Sequence, residues 1–182
     1  MVKKTLLALS LFIFSTASIM MSSPPVASAA NIDDMFREDA IECLATNIYF
    51  ESANESLAGQ ISVGMVVLNR VNDARFPSDV CSVVYQGRYG KNERASAARL
   101  HKCQFSWACD GKPDIVRDKD KLYEIYKVAE LVYQMYKEGY DITDGATHYH
   151  ATYVNPKWNR DRGMERIAKV DRHIFYRWHT RG

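Results

Sequence analysis

The sequence predicts an α+β fold, mainly helical, with a small antiparallel sheet near the C-terminus. Two observations carry this. Apolar residues recur at helical spacing through three stretches before residue 140. From Ala146 onward the chain becomes rich in Thr, Tyr, His and other strand formers, broken by short polar turns.

Residues 1–29 are read as an export leader rather than as fold. Lys3 and Lys4 precede an apolar run from Leu6 to Met20, and Ala27-Ser28-Ala29 has the small-x-small pattern of a cleavage site. A membrane anchor is the competing reading. The clean apolar stretch is shorter than the ~20 residues a spanning helix needs, and Pro24-Pro25 prevents its continuation as a helix. No stable membrane span is expected after processing.

The expected mature part, residues 30–182, is long enough for one domain with its own core. It shows no repeat, Ser/Gly linker or low-complexity tract. The leader holds two of the 24 basic side chains and none of the 22 acidic ones, so the remainder is formally neutral at 22 of each. That balance argues against a nucleic-acid partner, and a monomer is expected.

The elements are taken in chain order. Asp33 or Asp34 can cap a helix beginning near Met35, with Phe36, Ala40, Ile41, Leu44, Ala45 and Ile48 as its apolar stripe. Extending that stripe by three places reaches Glu51, a carboxyl group at the end of a buried face. A second helix is predicted over 57–71, with Leu57, Ile61, Met65 and Leu68 on one face and Gly64 permitting close approach of a neighbour. Ser78 can cap a short helix through Tyr85, with Gly87 just beyond. Residues 88–102 form a basic, polar stretch. The longest helix is expected over 121–138, with Leu122, Ile125, Ala129, Val132, Tyr133 and Tyr136 inward and Gly139 as its stop. Extended segments are expected at 146–154 and on either side of Val170-Asp171-Arg172.

The four cysteines, Cys43, Cys81, Cys103 and Cys109, suit disulfides in an exported chain, and three pairings are open. The favoured set closes a small loop around Gln104-Phe105-Ser106-Trp107 through Cys103–Cys109, with Cys43–Cys81 as its companion. Zinc is the rival use, but no C-x-x-C pair is present.

Several residues can carry chemistry. A Glu against apolar neighbours can have its pKa raised to ~6, which makes it a usable general acid for glycosidic bonds. Glu51, after Asn47-Ile48-Tyr49-Phe50, has that setting, although a surface position at a helix end would look the same. Gln104, Phe105, Ser106, Trp107, His148, Tyr149 and Trp158 are the aromatic, amide and hydroxyl types that line sugar clefts. Phe105, Trp107 and Tyr149 are equally ordinary as core aromatics. His148 and His150 share one face of a strand and could chelate a metal, but no further pattern completes a site, so no metal or other cofactor is expected. There is no G-x-S-x-G elbow for a serine nucleophile.

Read together, Asn47-Ile48-Tyr49-Phe50-Glu51, Gly59-Gln60, Val66-Val67-Leu68-Asn69-Arg70-Val71, Phe76-Pro77, Cys81-Ser82-Val83-Val84-Tyr85-Gln86, Cys103-Gln104-Phe105-Ser106-Trp107, Ala146-Thr147-His148-Tyr149-His150-Ala151, Pro156-x-Trp158 and His173-Ile174-Phe175-Tyr176 occur in that order. They resemble the catalytic domain of the cell wall hydrolase family typified by spore cortex-lytic enzymes. The resemblance implies a lysozyme-like fold and cleavage of peptidoglycan glycan strands, and the leader places that action outside the cytoplasm, in the periplasm or beyond. It implies lytic transglycosylase or muramidase chemistry with Glu51 as the catalytic acid. A non-catalytic wall-binding protein and a metal-dependent peptidase acting on the stem peptides are the other classes to weigh. Glu55, one helical turn beyond Glu51, is read as a cap or as the partner of a basic residue.

Overall fold

The computed structural model describes residues 29–87 and 103–179, with side chains from Arg37 onward. The leader read over 1–29 and the basic stretch 88–102 lie outside this description, apart from Ala29. Among the described residues, four α-helices precede a three-stranded antiparallel sheet: α1 (Ala29–Ser52), α2 (Leu57–Val71), α3 (Val80–Val84), α4 (Lys119–Lys137), β1 (His148–Ala151), β2 (Met164–Val170) and β3 (His173–Trp178). The fold class expected from the sequence is therefore the one observed.

Helix α2 is the centre of the molecule. Every residue from Gly59 to Leu68 is buried, the behaviour of a helix that is apolar all round. One side packs with α1, α3 and α4 through Ile61, Met65, Val67 and Leu68, against Leu44, Ile48, Ile125, Ala129 and Val132. The other side carries Val63 and Val66, which join Ala146 and Phe175 in a smaller core beneath the sheet. Gly64 sits where α1 and α4 converge: a Cβ there would lie 3.0 Å from Ile48 Cδ1 and 3.1 Å from Val132 Cγ1. The close approach expected at that glycine is thus present.

The boundaries differ from expectation where capping outweighs pattern. Helix α1 runs straight through Asp33 and Asp34, which were expected to cap it, and at 24 residues it is longer than the 19 of α4. Asp79 caps α3 in place of Ser78, accepting from Ser82 N. Asp118 starts α4 two residues earlier than expected, accepting from Lys121 N, and Gly139 ends it with a φ of +82°. Leu57 is 56% exposed, because the first residue of α2 stands at the α1–α2 corner and outside the stripe it was placed on. The favoured disulfides both form, Cys43–Cys81 tying α1 to α3 and Cys103–Cys109 closing the small loop.

The sheet has strand order β1-β3-β2. β2 and β3 form a hairpin in which Val170 faces His173, leaving Asp171-Arg172 as a two-residue turn with Asp171 at φ +48°. That turn reaches back to the α1–α2 corner. Asp171 Oδ2 accepts from Ser56 N at 2.8 Å and Ser56 Oγ at 2.6 Å, while Arg172 Nε donates to Glu55 Oε1 at 2.7 Å. The sheet is therefore clamped to the helices beside Glu51, and Glu55 has the basic partner expected of it.

Candidate active-site cleft

Several parts of the chain converge on Glu51. The end of α1 supplies Phe50 and Glu51, and the last turn of α2 supplies Arg70. The loop closed by Cys103–Cys109, with β1 and the start of β3, completes the wall through Gln104, Phe105, Ser106, Trp107, Tyr149, His150 and His173. The enclosed cleft measures about 460 Å³.

Glu51 is held there by local sequence. The same stripe that buries Leu44 and Ile48 completely brings Glu51 to the edge of the core, where it is half-buried. Tyr149 Oη donates to Glu51 Oε2 at 3.0 Å, across 98 positions of sequence. Burial raises the pKa of the Glu51 carboxyl, and the Tyr149 hydrogen bond and the Arg70 charge oppose that rise without cancelling it. Tyr149 itself is pushed well above its usual value by burial and by the neighbouring carboxylate, so its hydroxyl stays a donor.

Asn69-Arg70 fix the strand that carries Tyr149. Asn69 Nδ2 donates to Asp141 Oδ2, Thr143 Oγ1 and Ala146 O at 2.9 to 3.1 Å. Arg70 Nε donates to Thr147 O at 2.8 Å, one residue before β1. The guanidinium is only 5% exposed and lies between two rings, 5.3 Å from the Phe76 centroid and 5.1 Å from that of Phe105. Burial lowers its pKa while Tyr149 and Glu51 pull it up, and an arginine side chain stays protonated in proteins.

The expected sugar-binding residues divide into two groups. Gln104 and Ser106 are exposed in the cleft wall, and Tyr149 meets Glu51 there. Trp107 and Phe105 also line the cleft but belong to the core as well, with Trp107 stacked on Phe50 at 4.6 Å and donating from Nε1 to Asn47 Oδ1 at 3.1 Å. His148 and Trp158 do not line it. They build an aromatic cluster with Phe76, Trp178 and Tyr176. His148 has its pKa lowered to about 4, first by burial and then by Arg70 and Arg75. The ring nitrogens of His150 lie within hydrogen-bond distance of Ala151 O and Tyr176 Oη. Among the described residues no group of three or more His, Cys, Asp or Glu is arranged to hold a metal.

Arg70 and His173 were quoted as parts of motifs without a role in the site. The signal for Arg70 was available: Asn69-Arg70 is a polar pair inside the apolar run from Val63 to Val71, and a buried polar pair needs partners.

A helical body, a small clamped sheet and a cleft around one half-buried carboxyl group define a protein of lysozyme-like architecture with a candidate acid in its cleft. The chain belongs to the Cell Wall Hydrolase family, whose profile matches residues 54–176, a span that begins just after Glu51. It is 25% identical over 155 residues to the spore cortex-lytic enzyme of Bacillus cereus, covering 85% of this chain and 50% of that protein. A 60-residue segment is 37% identical to the spore cortex-lytic enzyme of Bacillus subtilis, covering 33% of this chain and 20% of that one. The chain thus spans half or less of the length of these curated relatives. Among solved structures, it resembles the catalytic domain of the germination-specific lytic transglycosylase SleB from Bacillus anthracis. The TM-score is 0.55 at 26% identity, covering 77% of this chain and 95% of that domain. The Bacillus cereus SleB catalytic domain gives 0.51, also at 26% identity, covering 77% and 91%.

Proposed function

We propose that this protein cleaves peptidoglycan between N-acetylmuramic acid and N-acetylglucosamine as a lytic transglycosylase, with Glu51 acting first as acid and then as base. The observation that carries this reading is the Glu51 carboxyl, its pKa raised by burial, meeting the Tyr149 hydroxyl in an aromatic-walled cleft. A carboxyl group of that kind keeps a proton to deliver at a pH where an ordinary glutamate has lost it.

In the proposed reaction the Glu51 proton passes to the glycosidic oxygen as the bond to the muramic C1 breaks. The carboxylate so formed takes the proton of the muramic C6 hydroxyl, whose oxygen closes a 1,6-anhydro ring. One carboxyl group serves both steps, whereas ordinary glycosidases use two. In support, Glu51 is the sole carboxyl group among the described residues lining the cleft, and Glu55 is engaged with Arg172. The similarity to a lytic transglycosylase domain points the same way.

Removal of residues 1–29 as a leader, and action as an exported monomer without a cofactor, belong to the same proposal. Among the described residues no helix is long and apolar enough to cross a membrane.

The test is Glu51→Gln on purified sacculi. General acid catalysis is typically worth about 10²–10⁴-fold, so solubilisation should fall by at least that order. Wild-type digests should contain 1,6-anhydromuramic ends, one water lighter than hydrolytic ends by mass spectrometry. A folded Glu51→Gln protein that digests walls at the wild-type rate overturns the proposal. Reducing muramic ends alone would make water the acceptor and the protein a muramidase.

A further inference from the structure

Arg70 is an expensive residue to keep. A buried charge without a partner costs several kcal/mol, and no carboxylate forms a close ion pair with Arg70 among the described residues. Its Nη1 is buried without a hydrogen-bond partner. Its position in the last turn of α2 returns part of the cost, since cations are favoured near helix C-termini, and the Phe76 and Phe105 rings return a further part. A neutral amide at this position could make the bond to Thr147 O equally well. Fixing β1 therefore does not account for a full positive charge.

What the charge does face is the cleft. Glu51 and Arg70 line the same wall, and both reach Tyr149 electrostatically. From the remaining elements Glu51 is faced by Tyr149 and His150 of β1, Tyr153 of the following loop, and His173 of β3, while the loop 103–107 contributes no charged side chain. Burial lowers the pKa of His173 and favours its neutral form. Arg172, at the hairpin turn, is spoken for by Glu55.

We infer that Arg70 is a positioning residue for catalysis: its caged guanidinium stabilises the Glu51 carboxylate left behind when the proton is delivered. The inference rests on the function proposed above. Burial raises the Glu51 pKa, and alongside the Tyr149 hydrogen bond the fixed Arg70 charge opposes that rise. The Arg70 charge also supports Glu51 as the base for the second proton transfer, because the carboxylate must persist until the C6 hydroxyl is in place.

The experiment compares Arg70→Gln, Arg70→Met and Arg70→Lys with the wild type in circular dichroism, sacculus binding and the pH dependence of turnover. An opposite charge near a carboxylate lowers its pKa, so removing that charge raises it. In the neutral variants the alkaline limb should therefore rise and turnover fall, with sacculus binding unchanged. Arg70→Lys should keep the alkaline limb near that of the wild type, because it keeps the charge while losing the planar fork. If the neutral variants fold and keep the wild-type limb and turnover, Arg70 is only a strut for β1 and the inference is wrong. Should neither neutral variant fold, Arg70→Lys decides alone: a limb within a few tenths of the wild type supports the inference, and a limb raised by a unit overturns it. An active Glu51→Gln protein would instead bring down the underlying reading, whatever the Arg70 variants do.

Discussion

Replacing Tyr149 by Phe removes one oxygen and tests how the acid is tuned. The hydroxyl donates to Glu51 Oε2 at 3.0 Å. A hydrogen bond to a charged acceptor is worth about 1.5–3 kcal/mol and one between neutral groups about 0.5–1.5 kcal/mol. The bond therefore favours the ionised over the protonated carboxyl by about 1–1.5 kcal/mol, and so lowers the Glu51 pKa from where burial alone would set it. Tyr149→Phe should move the alkaline limb of activity up and lower turnover. The ring itself keeps its packing against Phe175 at 5.6 Å and His173 at 5.2 Å, so the fold should persist. Turnover on sacculi across the acid-to-alkaline range, with denaturant unfolding as a control, measures both effects. A folded variant with the wild-type limb and rate would refute the reasoning, and the hydroxyl would then be a passive contact.

Two further predictions concern stability. Gly64→Ala gains about 1 kcal/mol of helix propensity but sets a methyl 3.0 Å from Ile48 Cδ1 and 3.1 and 3.3 Å from the Val132 methyls. Overpacking costs about 1–3 kcal/mol, so the denaturation midpoint should fall, and a rise would show that α1 and α4 can spread apart. His148, lowered from 6.5 to about 4, takes up its proton less readily folded than unfolded. Its contribution to stability is therefore present above pH 6.5 and lost as pH falls towards 4. His148→Phe should flatten the loss of stability across that same window in denaturant titrations, and an unchanged pH dependence would mean that other groups dominate it.

Much of this molecule was written locally. Helix α2 has the bounds its sequence implied, because apolar spacing is a signal within one stretch of chain. Gly64, the Cys103–Cys109 loop and the late onset of strands were legible for the same reason. Leu57 was misplaced because periodicity assigns a face without saying how far along the helix that face stays covered. It also gave α2 one buried face where the molecule uses two, since the second is made by a sheet more than 70 residues further on. Strand alternation set Tyr149 against His148 and His150 but carried no information about which side would meet Glu51. That choice was made by Asn69, Arg70 and the Asp171-Arg172 turn, all of them long-range contacts. His148 and Trp158, chosen for their residue type, were drawn into their own cluster by neighbours far away in sequence.

The bond between Glu51 and Tyr149 joins the first helix to the last third of the chain. A ribosome delivers the acid long before it delivers the tyrosine, the cleft wall or the turn that clamps the sheet. Until then Glu51 lacks the Tyr149 hydroxyl and the cleft wall that surround it in the folded chain. Under the function proposed above, the half-made chain has no assembled cleft with which to cut.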